Sequence, residues 1–98
     1  MLFVILYKAR DVTEEKEKRS LSLFTSWKPP AGYEFKAHYS LGDGSGGLAI
    51  VEVSSAAALL EAHAPWGPFF EFQTVPAVEV DKAVPIFQRT NAWRDSVK

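Results

Sequence analysis

The chain has 98 residues, a formal net charge of −1 and no cysteine. Its length predicts a single domain over residues 1–98, and its near-neutral charge argues against a broad surface for nucleic acid or acidic membranes. The lack of cysteine excludes disulfides, thiolate metal sites and a cysteine nucleophile, and it fits the cytoplasmic location that we expect.

The first elements in chain order are a strand and a helix. Met1–Lys8 is an apolar run, too short to cross a bilayer and typical of a central strand buried on both faces. Asp11 and Glu14 resemble a capping box that begins a highly charged helix. Leu21 and Phe24 would form the buried stripe of that helix.

A hairpin follows, because Tyr33–Ser40 and Leu48–Val53 flank a glycine-rich turn. Ser54 or Ser55 would cap a short helix over Ala56–His63. Phe69–Val75 reads as the fourth strand. Asp81 would then cap a last helix with an apolar stripe at helical spacing, made of Ile86, Thr90, Trp93 and Val97. The order predicts an α+β fold, the ferredoxin-like β-α-β-β-α-β arrangement with a four-stranded antiparallel sheet and a C-terminal helix.

Strand residues alternate between the two faces of a sheet. The alternation places Tyr39 with Phe35 on the face under the helices, and it places Lys36 and His38 on the helix-free face. Leu48 and Ile50 would share that helix-free face. A half-apolar face is costly to leave in water, so we expect a second copy of the chain to cover it, with Lys36, Leu48 and Ile50 in the dimer interface.

The hairpin would also place Glu52 across from Lys36 or His38. A carboxylate beside His38 would raise the imidazole pKa and fix its tautomer, which is how a general base is oriented. His38, Tyr39 and Glu52 are therefore the candidate catalytic residues. The alternative is an ion pair inside the dimer interface.

Aromatic residues at element ends indicate where a ligand pocket would open. Trp27 precedes two prolines and Trp66 precedes a Gly-Pro turn, and each indole N–H needs a polar partner. With Tyr39 and Phe70, these residues are the predicted ligand-binding set. A small apolar or aromatic molecule is the ligand that we expect there.

Several other site classes lack their signatures. The two histidines, His38 and His63, belong to no spaced ligand motif, so we predict no metal site and no cofactor. The glycines at 42–47 lie between two strands, where they cannot open a helix and cradle a phosphate. An RNA-recognition motif needs aromatic residues where this chain has Leu48 and Ile50, so we expect no RNA binding.

Five segments together resemble a family of short, uncharacterised bacterial proteins in the dimeric α+β barrel superfamily. They are the Met-Leu-Phe-Val start, the Trp27-x-Pro-Pro-x-Gly32 turn, the His38-Tyr39-Ser40 strand end, the Gly47–Glu52 strand and the Trp66…Phe72…Pro76 segment. The resemblance implies a homodimer whose sheets pack by their helix-free faces, with ligands bound between sheet and helices. The Asn-Trp-His set of the haem-degrading members is not recognisable in this sequence.

Three functions stay open from the sequence. The first is a homodimeric α+β barrel protein that binds a small organic ligand between sheet and helices. The second is a cofactor-independent isomerase or monooxygenase-like enzyme, with His38 or Tyr39 in proton transfer. The third is a dimerisation or interaction module without a ligand.

Overall fold

The computed structural model describes residues 1–98 as one four-stranded sheet with three α-helices. The elements are β1 (Leu2–Ala9), α1 (Glu14–Ser26), β2 (Tyr33–Ser40), β3 (Gly46–Val53), α2 (Ala56–His63), a 3-10 turn (Ala64–Trp66), β4 (Phe70–Pro76) and α3 (Val80–Ser96). The sheet order is β2-β3-β1-β4, and every neighbouring pair is antiparallel. The predicted α+β, ferredoxin-like β-α-β-β-α-β order with a C-terminal helix is confirmed.

Two of the predicted helix caps were wrong and one was right. α1 is capped by Thr13, whose side chain accepts a hydrogen bond from Lys16 N at 3.1 Å. Asp11 has φ +41°, whereas an N-cap residue is extended, as Thr13 is at φ −127°. Ser55 caps α2 as expected. α3 begins one residue before Asp81, with no side-chain cap bond at its start.

The hydrophobic core lies between the sheet and α2. Ile5, Val51 and Ala62 are almost completely buried, at 1%, 0% and 0% exposure. β3 supplies every second residue to this core, from Ala49 to Val53, because alternate side chains share a face. The face of the sheet that these residues occupy is called the covered face below.

The other two helices contribute no residue to the buried core. Neither α1 nor α3 contains a buried residue. The prediction that Leu21 and Phe24 form a buried stripe was wrong, since they are 61% and 51% exposed. The sequence pattern identified the apolar side of α1 correctly, but that side stands over an open space instead of a filled core.

α3 extends away from the sheet and the other helices. The protein measures 60 × 30 × 19 Å and has a Cα radius of gyration of 17.6 Å, whereas a compact chain of this length would have about 13 Å. Of the predicted stripe, Ile86, Thr90 and Trp93 lie on this helix and Val97 follows it as the extended C-cap residue, and all four residues are exposed. The last helix is therefore present but has no partner within its own chain.

A β-bulge in β2 changes which side chains lie on which face. Phe35 pairs with Val51 and Ala37 with Ile50, so Lys36 has no partner on β3. After the bulge, His38 pairs with the buried Ala49 and Tyr39 pairs with Leu48. The predicted faces of His38 and Tyr39 were therefore wrong, because one extra residue inverts the alternation.

Candidate functional site

A cavity of about 580 Å³ lies between the covered face of the sheet and α1. Sites for small organic molecules range over about 300–1,000 Å³ and are mostly apolar. Sixteen of its 25 lining residues are hydrophobic, so the cavity has both the size and the chemistry of such a site.

Aromatic rings form the wall of the cavity. Trp27, at the end of α1, meets Trp66 edge-on with ring centroids 5.5 Å apart, and Phe24 lies 6.0 Å from Trp66. Phe70 completes this wall from β4, 6.3 Å from Trp66. Trp27, Trp66 and Phe70, three of the predicted ligand-binding residues, thus lie together at the cavity.

The fourth predicted ligand-binding residue, Tyr39, lies at the rim. Its position opposite Leu48 turns it to the helix-free face, and it is 62% exposed. The β2 residue that enters the cavity is His38. Its ring stacks on Phe35 with centroids 4.7 Å apart and an interplanar angle of 10°. The bulge therefore exchanges the places of these two neighbouring side chains.

His38 shares a hydrogen bond with Tyr7 across the width of a strand. The Tyr7 hydroxyl lies 2.7 Å from His38 Nε2, although β3 separates β1 from β2 in the sheet. Tyr7 therefore crosses the backbone of β3 to reach its partner. His38 Nδ1 makes no hydrogen bond within the chain, so it is available to a ligand.

Gly47 makes that crossing possible. A Cβ atom built on Gly47 would overlap the end of the Tyr7 ring, including its hydroxyl oxygen. Any larger residue would force the ring away from the sheet. Gly47, expected to be a turn glycine, is in fact a strand residue of β3 opposite Tyr7.

A second tyrosine–histidine pair lies deeper, beneath α2. The Tyr33 hydroxyl is 2.8 Å from His63 Nε2, and the His63 ring stacks on Phe72 with centroids 4.4 Å apart. His63, the last residue of α2, lines the cavity with Tyr33. Both pairs place a neutral, hydrogen-bonded polar group on an otherwise apolar wall.

Partial loss of solvation favours the uncharged forms of all four groups near neutral pH. It lowers the pKa of His38 and of His63, because the charged imidazolium loses solvation. It also raises the pKa of Tyr7 and, with a smaller effect from Tyr7, raises the pKa of Tyr33 to about 12. The pairs therefore carry one shared proton each and no net charge.

Glu52 lies on the other face of the sheet from the two tyrosine–histidine pairs. It pairs with Glu34 on β2 and Leu2 on β1, on the helix-free face, so the expected pairing with His38 or Lys36 does not occur. The amino group of Met1 lies 2.5 Å from its Oε1, and this hydrogen bond lowers the pKa of Glu52. Glu52 therefore cannot orient His38, which lies on the opposite side of the sheet.

The expected interface residues share the helix-free face. Leu48 and Ile50 are half-buried there and pair with Leu6 and Val4 of β1. Lys36, the bulged residue, has its Nζ 3.2 Å from Glu34 Oε1. This face, called the outer face below, keeps the mixed apolar and charged character that the sequence indicated.

Sequence reasoning missed three site residues, Tyr7, Tyr33 and His63. A signal was present: Tyr7 shares its β1 face with Ile5, and Tyr33 shares its β2 face with Phe35. A tyrosine on a covered face needs a hydrogen-bond partner for its hydroxyl. The chain has only two histidines to offer as imidazole partners.

The rest of the chain adds no metal site and no helical membrane anchor. No group of three or more histidine or carboxylate side chains is placed to hold a metal ion. No helix combines the length and apolar composition that crossing a bilayer requires.

Comparison with known proteins gives one match. No curated protein and no solved structure matches the chain. Residues 1–91, which include every cavity residue named above, match the family described as a domain of unknown function, DUF3303. The chain therefore belongs to the DUF3303 family.

Proposed function

We propose that the protein binds a small apolar or aromatic organic molecule in the cavity between the sheet and α1. The observation that carries this proposal is the cavity itself, about 580 Å³ with an aromatic wall. Such a space, left empty, forfeits the contacts that would stabilise α1. A flat aromatic ligand would fill it and face Trp27, Trp66 and Phe70.

The ligand carries one polar group in this proposal. Most of the cavity is apolar, and His38 Nδ1 has no partner within the chain. A hydroxyl or carbonyl oxygen on the ligand would be favoured beside His38, because a typical hydrogen bond contributes about 0.5–1.5 kcal/mol net.

The test uses 2-naphthol, a flat aromatic alcohol, and isothermal titration calorimetry. Ser20 lines the cavity and Ser22, on the same helix, does not. We expect Ser20→Phe to fill the cavity and weaken 2-naphthol binding at least about tenfold, and Ser22→Phe to leave the affinity unchanged. If neither 2-naphthol nor other small aromatics bind at millimolar concentration, the ligand-binding proposal is wrong.

We propose a homodimer of the dimeric α+β barrel type, in which two outer faces pack against each other. Lys36, Leu48 and Ile50 would lie in that interface. The support is the half-apolar outer face, on which Val4, Leu6 and Ile50 are only partly buried in one chain. The absence of cysteine supports the cytoplasmic location that we propose with it.

A second candidate function, proton transfer without a cofactor, is supported by the Tyr7–His38 pair. The bulge at Lys36 and the bare backbone of Gly47 are both needed to bring the two side chains together, and bulges often re-aim side chains beside active sites. Neutral His38 would take a proton from an acidic C–H bond of a carbonyl substrate at Nδ1 and become an imidazolium, and the electron pair of that bond would move onto the carbonyl oxygen to give the enolate. Its Nε2–H would then donate to the Tyr7 oxygen, which stabilises the new charge.

This candidate assigns the proton-transfer role to His38, with Tyr7 as its positioning residue. Tyr39 and Glu52 do not take part, because they lie on the outer face. The test is exchange of acidic C–H protons of bound aromatic ketones into deuterated water, followed by NMR. We expect His38→Gln to abolish catalysed exchange and Tyr39→Phe to leave it intact; equal rates in both variants would reject the enzyme reading.

A further inference from the structure

α3 presents an apolar seam that nothing in its own chain covers. Ala83, Ile86, Thr90, Trp93 and Val97 recur at spacings of three and four residues; this set is called the α3 seam. Trp93 is 66% exposed and Val97 59%. The Thr90 hydroxyl donates to the Phe87 carbonyl oxygen at 2.9 Å, so its polar atom is satisfied within the helix.

A helix in this situation is not stable by itself. α3 has 17 residues, no buried residue and a proline at position 85. Isolated helices of this length are marginal in water even with strong helix formers, and an internal proline removes a backbone hydrogen bond. The helix therefore needs a surface to pack against.

The exposed area indicates how large that surface is. The chain exposes 7279 Å², whereas a compact monomer of 10.9 kDa would expose about 5,600 Å². The excess is about 1,700 Å², twice the roughly 800 Å² that each partner buries in a standard interface. The open cavity beside α1 contributes part of this excess. α3 contributes another part, because Ile86, Phe87 and Trp93 are all exposed on it, and an interface of the outer faces alone would not cover them.

We propose that the α3 seam packs against the α3 seam of a second copy of the chain. The three–four spacing is that of helices that pair along their length. A symmetric pair covers both seams at once, as a two-fold interface requires. The net charge of −1 per chain offers little repulsion to such an association. The inference rests on the homodimer of the proposed function and adds a second contact to it.

The test is hydrogen exchange of the full chain measured over a wide range of protein concentration, with sedimentation at the same concentrations. We expect α3 amides to be at least about hundredfold more protected in the dimer than in the dilute monomer, because an unpartnered helix opens freely. Protection that does not change with concentration would mean that α3 packs on its own chain. Unprotected amides in a sedimenting dimer would reject the α3 contact but leave the outer-face dimer standing. A monomer at every concentration would reject both.

Because the chain has no cysteine, a single introduced thiol reports on the α3 pair alone. Thr90 is the midpoint of the seam, so it faces its own counterpart whether the two helices run parallel or antiparallel. We expect Thr90→Cys to form a disulfide-linked dimer under mild oxidation. Gln88→Cys, on the opposite side of α3, should remain monomeric on a denaturing gel. Equal cross-linking of both variants, or of neither, would overturn the seam-to-seam pairing.

Discussion

The region beneath α2 and the region beneath α1 are built from the same sheet but packed differently. Under α2, small residues such as Ala58 and Ala62 bring the helix close to β3, and Val51 is completely buried. Under α1, large rings stand apart and enclose the cavity, and the helix buries no residue. The difference shows that one half of the covered face is completed by the chain itself, whereas the other half has room for a ligand.

The largest expected effect comes from truncating one side chain in the region beneath α2 and one on α1. Val51→Ala, in the core beneath α2, should lower the free energy of unfolding by about 3 kcal/mol, because it leaves a cavity in a packed region. Leu21→Ala, on α1, should lower it by less than about 0.7 kcal/mol, since the side chain is already exposed. Urea denaturation of both variants measures the two values; similar losses would mean that α1 is as tightly packed as α2.

The second prediction concerns the outer face, which has no helix at all. Ile50→Asp should weaken the dimer by about 3 kcal/mol, or roughly a hundredfold, because it buries an unpaired carboxylate in the proposed interface. Sedimentation velocity measures the change, with Thr25→Asp on exposed α1 as the control. A dimer that persists in Ile50→Asp at low micromolar concentration would contradict the outer-face assembly.

Two glycine substitutions test whether the Tyr7–His38 pair contributes to ligand binding. Gly47→Ala should displace the Tyr7 ring and weaken 2-naphthol binding by about tenfold, the loss of one net hydrogen bond of about 1.4 kcal/mol. Gly42→Ala is the matched control, because a Cβ there meets nothing within 4 Å. Tyr7→Phe, which removes only the hydroxyl, should reproduce the loss. Unchanged affinity in Gly47→Ala and Tyr7→Phe would separate the Tyr7–His38 pair from ligand recognition.

The two histidines allow the α1 and α2 sides of the covered face to be compared through the pH dependence of the free energy of unfolding. Burial lowers the pKa of each in the folded state below the ordinary value of 6.5, so the unfolded chain binds protons first. The free energy of unfolding should therefore be constant above about pH 6.5 and should fall as the pH drops below 6.5 towards the folded pKa values. Urea titrations at pH 7.5, 6.0 and 5.0 measure the slope.

His63→Gln separates the contributions of the two histidines. His63 is half-buried under α2, whereas His38 is exposed at the open side of the cavity. We expect His63→Gln to remove more of the acid-dependent loss than His38→Gln does. The opposite ranking would mean that the α1 side is the more enclosed of the two.

The smallest effect belongs to the solvent side of α1. Lys18 Nζ lies 3.4 Å from Glu14 Oε1, four residues earlier on the same helix. Both side chains are exposed, and such pairs contribute about 0.3–0.5 kcal/mol at most. Lys18→Ala should therefore change the free energy of unfolding by less than about 0.5 kcal/mol and should not alter ligand affinity.

The fold was predictable from local signals. The face of the sheet that each β2 side chain occupies was predictable only for the residues before the bulge. Continuous apolar runs, the glycine turn and Ser55 all act over a few residues, so their structures follow from neighbouring sequence. The bulge at Lys36 has no such marker. It arises from the pairing of β2 with β3, and every assignment beyond it depends on that pairing.

The site was harder to predict because its pairs join distant elements. Tyr7 reaches His38 only because Gly47 lies between them on another strand, a relation that requires the sheet order and register. The exposure of Phe24 and Trp93 was missed for a related reason. An apolar pattern shows that a helix has a side to bury, but it does not show whether its own chain supplies the cover.

The bulge also decides what the loss of one residue from β2 would do. Lys36 is the residue without a partner on β3, so its deletion would restore a regular strand and leave His38 opposite Ala49 and Tyr39 opposite Leu48. The imidazole would stay in the cavity, and the outer face would lose the charge of Lys36. Relatives that lack this residue would therefore be expected to keep the cavity side of the strand and to differ in the charge of the outer face.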